Sequence, residues 1–174
     1  DNEWDRRHVP YEIANAEHLA MSESAGMINL SHFAIMDIKG SDAERMLEYL
    51  SVAKVGANTP EGRVIYTNFL DEDGGVHADL TISRMGNDYY RVVTGGADGN
   101  RDWVTLRNYR DDHGLEADIN IRTHDIATLG LWGPHAERAL GHFIDPGEIN
   151  IGNFPFVTAK ELTLKLPHGK TIEV

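Results

Sequence analysis

The sharpest alternation of apolar and polar positions lies at Val76 to Arg84. Val76, Ala78, Leu80 and Ile82 fall on one side of an extended chain, and His77, Asp79, Thr81 and Ser83 on the other, because successive strand side chains point to opposite faces. Val64 to Leu70 before it and Tyr89 to Thr94 after it are rich in β-branched and aromatic residues. Asp71-Glu72-Asp73-Gly74-Gly75 and Gly86-Asn87-Asp88 separate the three runs. Turn residues between short apolar runs predict an antiparallel meander. Met27 to Leu30, Phe33 to Lys39, Ala117 to Arg122, Ile126 to Trp132 and Phe156 to Leu166 predict further strands, with a turn at Pro167-His168-Gly169.

Helical spacing interrupts these runs. Ser41-Asp42-Ala43-Glu44 reads as a capping box, with Ser41 at the N-cap and Glu44 three residues on. Ala43, Met46, Leu47 and Leu50 then repeat at i, i+3, i+4 and i+7, which gives one apolar helical face. A helix from about Asn100 to Asp112 turns Trp103 and Leu106 inward, and Glu12 to Ala25 is Ala-rich and stops at Gly26. After Gly133-Pro134, residues Ala136, Ala139, Leu140 and Phe143 share a helical face that Pro146-Gly147 closes. Strands joined by turns, with helices interspersed irregularly, predict an α+β fold with a mixed or antiparallel sheet.

The length of 174 residues suits one domain, and the chain is read as one, spanning 1–174. Sixteen Lys and Arg against 28 Asp and Glu give a net charge of −12. That balance argues against nucleic acid and anionic membranes as partners, since both require a basic footprint. There is no cysteine, which excludes disulfides, thiolate metal sites and cysteine nucleophiles and fits a reducing, cytoplasmic compartment. No apolar run approaches a membrane span, and the first residues carry no secretory signal.

Motif chemistry is sparse. No H-E-x-x-H occurs, and His77-x-Asp79 offers only two ligands on one strand face, so no metal site is assigned. Asp71-x-Asp73-Gly74 begins like a calcium loop but lacks the later ligands. Gly95-Gly96-Ala97-Asp98-Gly99-Asn100 precedes a helix but is neither a dinucleotide fingerprint nor a phosphate loop. Ser31-His32 has no triad partner that the sequence can identify, which leaves a serine nucleophile a weak reading. Asp79 stands out, because Asp is disfavoured inside strands. Two readings remain open for it: a solvated sheet face, or a carboxylate held rigidly toward a cavity.

Three segments carry a resemblance. Ala25-Gly26-Met27-Ile28-Asn29-Leu30-Ser31-His32-Phe33 resembles the segment that opens the folate-binding fold of the glycine-cleavage T-protein superfamily. Asp73-Gly74-Gly75-Val76-His77-Ala78-Asp79-Leu80-Thr81 is similar to its GG-x-x-x-D-L hairpin, and Leu131-Trp132-Gly133-Pro134 to its G-P turn before a helix. Order and spacing agree over roughly residues 11 to 166. Within the superfamily, Trp4-Asp5-Arg6-Arg7 and Val92-Val93-Thr94-Gly95 resemble the folate domain of dimethylglycine and sarcosine dehydrogenases or oxidases.

The resemblance implies a T-protein-like folate-binding fold, an aminomethyltransferase-like domain and tetrahydrofolate as cofactor. The reaction it implies is oxidative N-demethylation of a methylated amine, with the carbon captured as 5,10-methylenetetrahydrofolate. Asp79 takes the catalytic position. A fixed carboxylate there stabilises the positive charge that an attacking folate nitrogen acquires, and can accept its proton. Phe33, Tyr66, Val93 and Gly95 take positions lining the pterin pocket, although the T-protein proper carries Asn at the position of Gly95. Arg63, Arg84, Arg91 and Arg101 are candidates to meet the anionic part of folate. FAD is expected only in a parent flavin domain upstream. The family's folate domain continues past the position of Val174, so the chain is expected to be its N-terminal part. The rival readings are a stand-alone aminomethyltransferase or folate-dependent demethylase, and a non-catalytic binding module of the same fold.

Overall fold

A computed structural model describes residues 5–56 and 58–174, with side chains from residue 11 onward. Of the Trp4-Asp5-Arg6-Arg7 lead-in, Trp4 lies outside the described residues, and the other three are described only as backbone of the first helix. In chain order the elements are α1 (Asp5–Glu23), β1 (Gly26–Asn29), β2 (Ala34–Lys39), α2 (Ala43–Leu50), β3 (Val64–Leu70), β4 (Val76–Gly86), β5 (Tyr89–Thr94), α3 (Gly99–His113), β6 (Asp118–Ile121), β7 (Leu129–Trp132), α4 (Ala136–Leu140), α5 (Pro146–Ile149), β8 (Thr163–Lys165) and β9 (Thr171–Glu173). The fold is α+β with antiparallel sheets.

Two compact units emerge. Leu30–Thr128 with Pro155–Lys160 forms one of them. It is built on a five-stranded sheet of order β3-β4-β5-β2-β6, antiparallel throughout. The predicted meander is β3-β4-β5. One sheet face carries Met36, Ile38, Phe69, Ala78, Leu80, Ile82, Tyr90 and Val92 into the core, where they meet Ala43, Met46 and Leu47 of α2 and Leu106 of α3. Burying each large side chain contributes about 1.5–3 kcal/mol. The apolar spacing of α2 is what places its three residues on this face.

Several local expectations give way to tertiary partners. The capping box is not formed. Helix α2 begins at Ala43 with Asp42 at the N-cap and no side-chain cap bond. Ser41 instead donates to Glu116 at 3.1 Å, and Glu44 accepts from the Tyr90 hydroxyl at 3.1 Å. The strict alternation of β4 also breaks. Phe69 pairs with Ala78 but Leu70 with Val76, so His77 is the extra residue of a β-bulge. His77 bonds Thr105 of α3, at 2.9 Å, rather than sharing a face with Asp79.

The strand expected over Phe156 to Leu166 is confined to Thr163–Lys165. Its first part is spent along β3. The Val64 N–H donates to the Val157 carbonyl at 2.9 Å, and the Ala159 N–H to Gly62 at 2.6 Å. Val157 there has φ 55°, a left-handed conformation costly for a β-branched residue.

The second unit comprises residues up to Asn29, Leu129–Phe154 and Glu161–Val174. Helix α1 starts earlier than its Ala-rich part suggests. Strands β1 and β7 pair as a ribbon from Gly26–Trp132 to Asn29–Leu129, and β8 pairs with β9. Gly133 has φ 110°, and a Cβ there would meet the carbonyls of Met21 and Ser24 at 2.5 Å. Only glycine permits that approach. Among the described residues no helix is long and apolar enough to cross a membrane.

Candidate functional site

The sheet face turned away from α2 and α3 is where the candidate residues gather. Strand register sets them in rows, since cross-strand partners project to the same side. One row runs Tyr66–Thr81–Val93–Ile35 across β3, β4, β5 and β2. The neighbouring row holds Asn68 and Asp79, which pair directly. Thr94 pairs with both Leu80 and Ala34. Gly95, one residue on, therefore continues from β5 between Asp79 and Phe33. Thus Tyr66, Val93 and Asp79 occupy two adjacent rows of one surface, and Phe33 and Gly95 lie one residue beyond the paired ends of β2 and β5.

The Asp79 carboxylate is near enough to the Tyr66 phenol to act on its ionisation. Its hydrogen-bonding pull, then its charge, raise the phenol pKa above its ordinary value of 10.0. Tyr66 thus remains a proton donor while Asp79 is an acceptor. Both are exposed, Tyr66 to 67%. The Asp79 carboxylate stands on an exposed face of this unit. Two clefts, of about 440 and 470 Å3, lie elsewhere. Lys39, Arg110 and Glu116 line the first, and His135, Arg138 and His142 the second. None of the five candidates lines either.

The open face is chemically suited to a flat, polar-edged ring. Phe33 stacks on His32 with centroids 5.0 Å apart, and Val93 is half-buried beside it in the sheet. Gly95 leaves room, since a Cβ built there meets only Asp98 Oδ2, at 3.3 Å. Gly96 does not, because a Cβ there would run into the backbone of His32. The glycine pair thus lets the end of β5 lie against the His32-Phe33 segment.

Of the four arginines expected to meet an anion, three have partners within the protein. Arg84 donates to the carbonyls of Gly56 and Thr59, at 3.2 and 2.8 Å, and so shapes that loop. Arg101 pairs with Asp98 at 3.1 Å and with the fully buried Asp102 at 3.2 Å. Arg91 forks onto Asp37, Nε to Oδ1 at 2.7 Å and Nη2 to Oδ2 at 3.1 Å. Arg63 is exposed and has no ion-pair partner among the described residues.

Asp37 was missed as a site neighbour by sequence reasoning, and so was Arg122, which reaches the same carboxylate at 3.0 Å. Burial acts to raise the Asp37 pKa. The Arg91 guanidinium, the Tyr89 hydroxyl and Arg122 outweigh it and hold the carboxyl below the usual range. The available signal was a lone Asp in the otherwise apolar run Ala34-Ile35-Met36-Asp37-Ile38. Ser31 Oγ accepts from the Thr128 N–H at 3.0 Å, a brace between two loops. Among the described residues no three His, Asp or Glu side chains converge as a metal site.

Residues 2–168 match the family described as the GCVT N-terminal domain. A solved structure, the glycine cleavage system aminomethyltransferase T from Bartonella henselae, is similar with a TM-score of 0.68 and 24% identity. The match covers 73% of this chain and 34% of that one. The chain therefore spans about a third of that relative's length, and the likeness speaks for the fold.

Proposed function

Since the chain belongs to the GCVT N-terminal domain family, we propose that its open sheet face is one wall of a tetrahydrofolate site in an enzyme of one-carbon transfer. The observation that carries the reading is the placement of Asp79, Tyr66 and Val93 on two adjacent rows, with Phe33 and Gly95 just past the paired ends of β2 and β5. Phe33 and Val93 supply apolar contact for a ring, and Gly95 allows close approach. Asp79, fixed on the sheet beside Tyr66, accepts a proton and stabilises developing positive charge. Tetrahydrofolate, when bound, supplies the nucleophilic nitrogens that take up a one-carbon unit.

An exposed carboxylate is a weak stabiliser in water, because screening and high dielectric reduce its field. The reading therefore requires further protein surface over this face in the assembled enzyme. We assign the methylated-amine substrate to the dimethylglycine or sarcosine class on the strength of Val92-Val93-Thr94-Gly95, where glycine replaces the T-protein's Asn. In that assignment, amine oxidation belongs to a separate flavin-bearing domain, and this chain supplies the folate side.

The test is Asp79→Asn in the full-length protein, assayed for 5,10-methylenetetrahydrofolate formed from a methylated amine and tetrahydrofolate. The expected result is a fall of 10²-fold or more, the usual scale for a lost acid–base group, with an unchanged melting temperature. Undiminished product in that variant rejects the role of Asp79.

A further inference from the structure

Asp37, Arg91 and Arg122 form a second feature on the same sheet face. Asp37 and Arg91 are register partners on β2 and β5, in the row Val64–Ser83–Arg91–Asp37–Asn120. The Asp37 side chain is only 2% exposed and binds both guanidiniums. Arg91 also meets the Tyr89 hydroxyl at 2.9 Å, and Arg122 pairs with Asp125 at 3.0 Å. The side chains of Arg91 and Arg122 remain 24% and 37% exposed.

A guanidinium carries five N–H donors. Arg91 Nη1 and Arg122 Nη2 have no partner among the described residues. These are donors on planar groups already locked in place, so little rotamer entropy is lost when an anion takes them. The surrounding charge is balanced. Lys39, Arg91 and Arg122 stand against Asp37, Asp118 and Asp125, in a protein of net charge −12. Attraction here comes from oriented donors, not surplus charge.

Position supplies the ligand class. Along β4, Asp79 lies four residues from Ser83, the partner of Arg91, or roughly 13 Å at strand rise. In a folate, a benzene ring and an amide separate the reactive nitrogens from the glutamyl carboxylates, a span of the same order. Resting on the folate reading above, we propose that Arg91 and Arg122 form the anion-binding end of the site and take the carboxylates of its glutamyl tail. Thr81 and Val93, both half-buried, lie on the face between the two ends.

Calorimetric titration of the full-length protein tests this with two probes: tetrahydrofolate, and its diamide, in which both glutamyl carboxylates are carboxamides. The expected result for Arg122→Gln is a loss of roughly tenfold or more in affinity for tetrahydrofolate, with affinity for the diamide unchanged. Arg122→Lys, which keeps the charge but not the fork, is expected to fall between the two. Equal loss for both probes assigns Arg122 a structural role and overturns the subsite. Unchanged affinity for tetrahydrofolate in Arg122→Gln overturns it as well, while leaving the folate reading standing. If the wild type binds neither probe, the folate reading fails and the subsite with it.

Discussion

Asp37 and Arg91 face each other across β2 and β5 with both carboxylate oxygens engaged by one guanidinium, at 2.7 and 3.1 Å. Asp37 sits in a run of buried residues on β2, and Arg122 and Tyr89 complete the carboxylate's shell at 3.0 Å each. Removing one partner of such a pair strands the other, at a cost of about 3–5 kcal/mol. Asp37→Ala is expected to show that loss in urea unfolding.

The same carboxyl sets an acid limit. Its folded pKa lies below the unfolded value near 4. Its contribution is therefore present above that value and lost as pH falls through the depressed one. Melting temperatures of the wild type should drop steeply below about pH 4. Asp37→Asn, less stable at neutral pH, should show a shallower drop over the same range.

Tyr90 sets the alkaline counterpart. Burial first, then its hydrogen bond to Glu44, pushes the phenol up to about 12. The unfolded phenol ionises near 10. The contribution is thus full below about 10 and disappears as pH rises to about 12, an amount on the order of 2–3 kcal/mol. Tyr90→Phe should flatten the unfolding free energy across that window when it is measured by denaturant titration at stepped pH.

Gly96→Ala forces a methyl group into the His32 backbone. Overpacking of that kind costs about 1–3 kcal/mol. Because His32 leads directly into Phe33, the substitution should also weaken ligand binding at the open face. Gly95→Ala, which meets only Asp98, should leave stability within about 0.5 kcal/mol of wild type. Thermal melts of the two variants side by side check the contrast.

Val157→Gly should stabilise the protein by roughly 1 kcal/mol, since φ 55° suits glycine and strains valine. A melting temperature below that of wild type would show that packing of the Val157 side chain outweighs the relief.

The meander was legible because β3, β4 and β5 are consecutive and their alternation is local. The order β5-β2-β6 was not, since Ile35 pairs with Val93 and Ile38 with Ile119 over long sequence distances that no spacing encodes. The Ser41/Glu44 box failed because Glu116 and Tyr90 offered those side chains better partners. The bulge at His77 escaped notice because its alternation is intact in sequence and broken only by the pairing with β3. The five candidate positions came from family likeness, and their placement on the sheet became visible only once register was fixed. Arg122 gave no local sign of its bond to Asp37, which lies 85 residues away.

The segment from Val157 to Ala159 runs along β3, the outermost strand on that side of the sheet. It takes up the Val64 N–H and the Gly62 carbonyl that would otherwise face outward. An unpaired outer strand is a template for stray chains to add to the sheet and start aggregates. Those residues thus act as a selvedge, keeping the sheet from knitting onto its neighbours while its broad face stays free for chemistry.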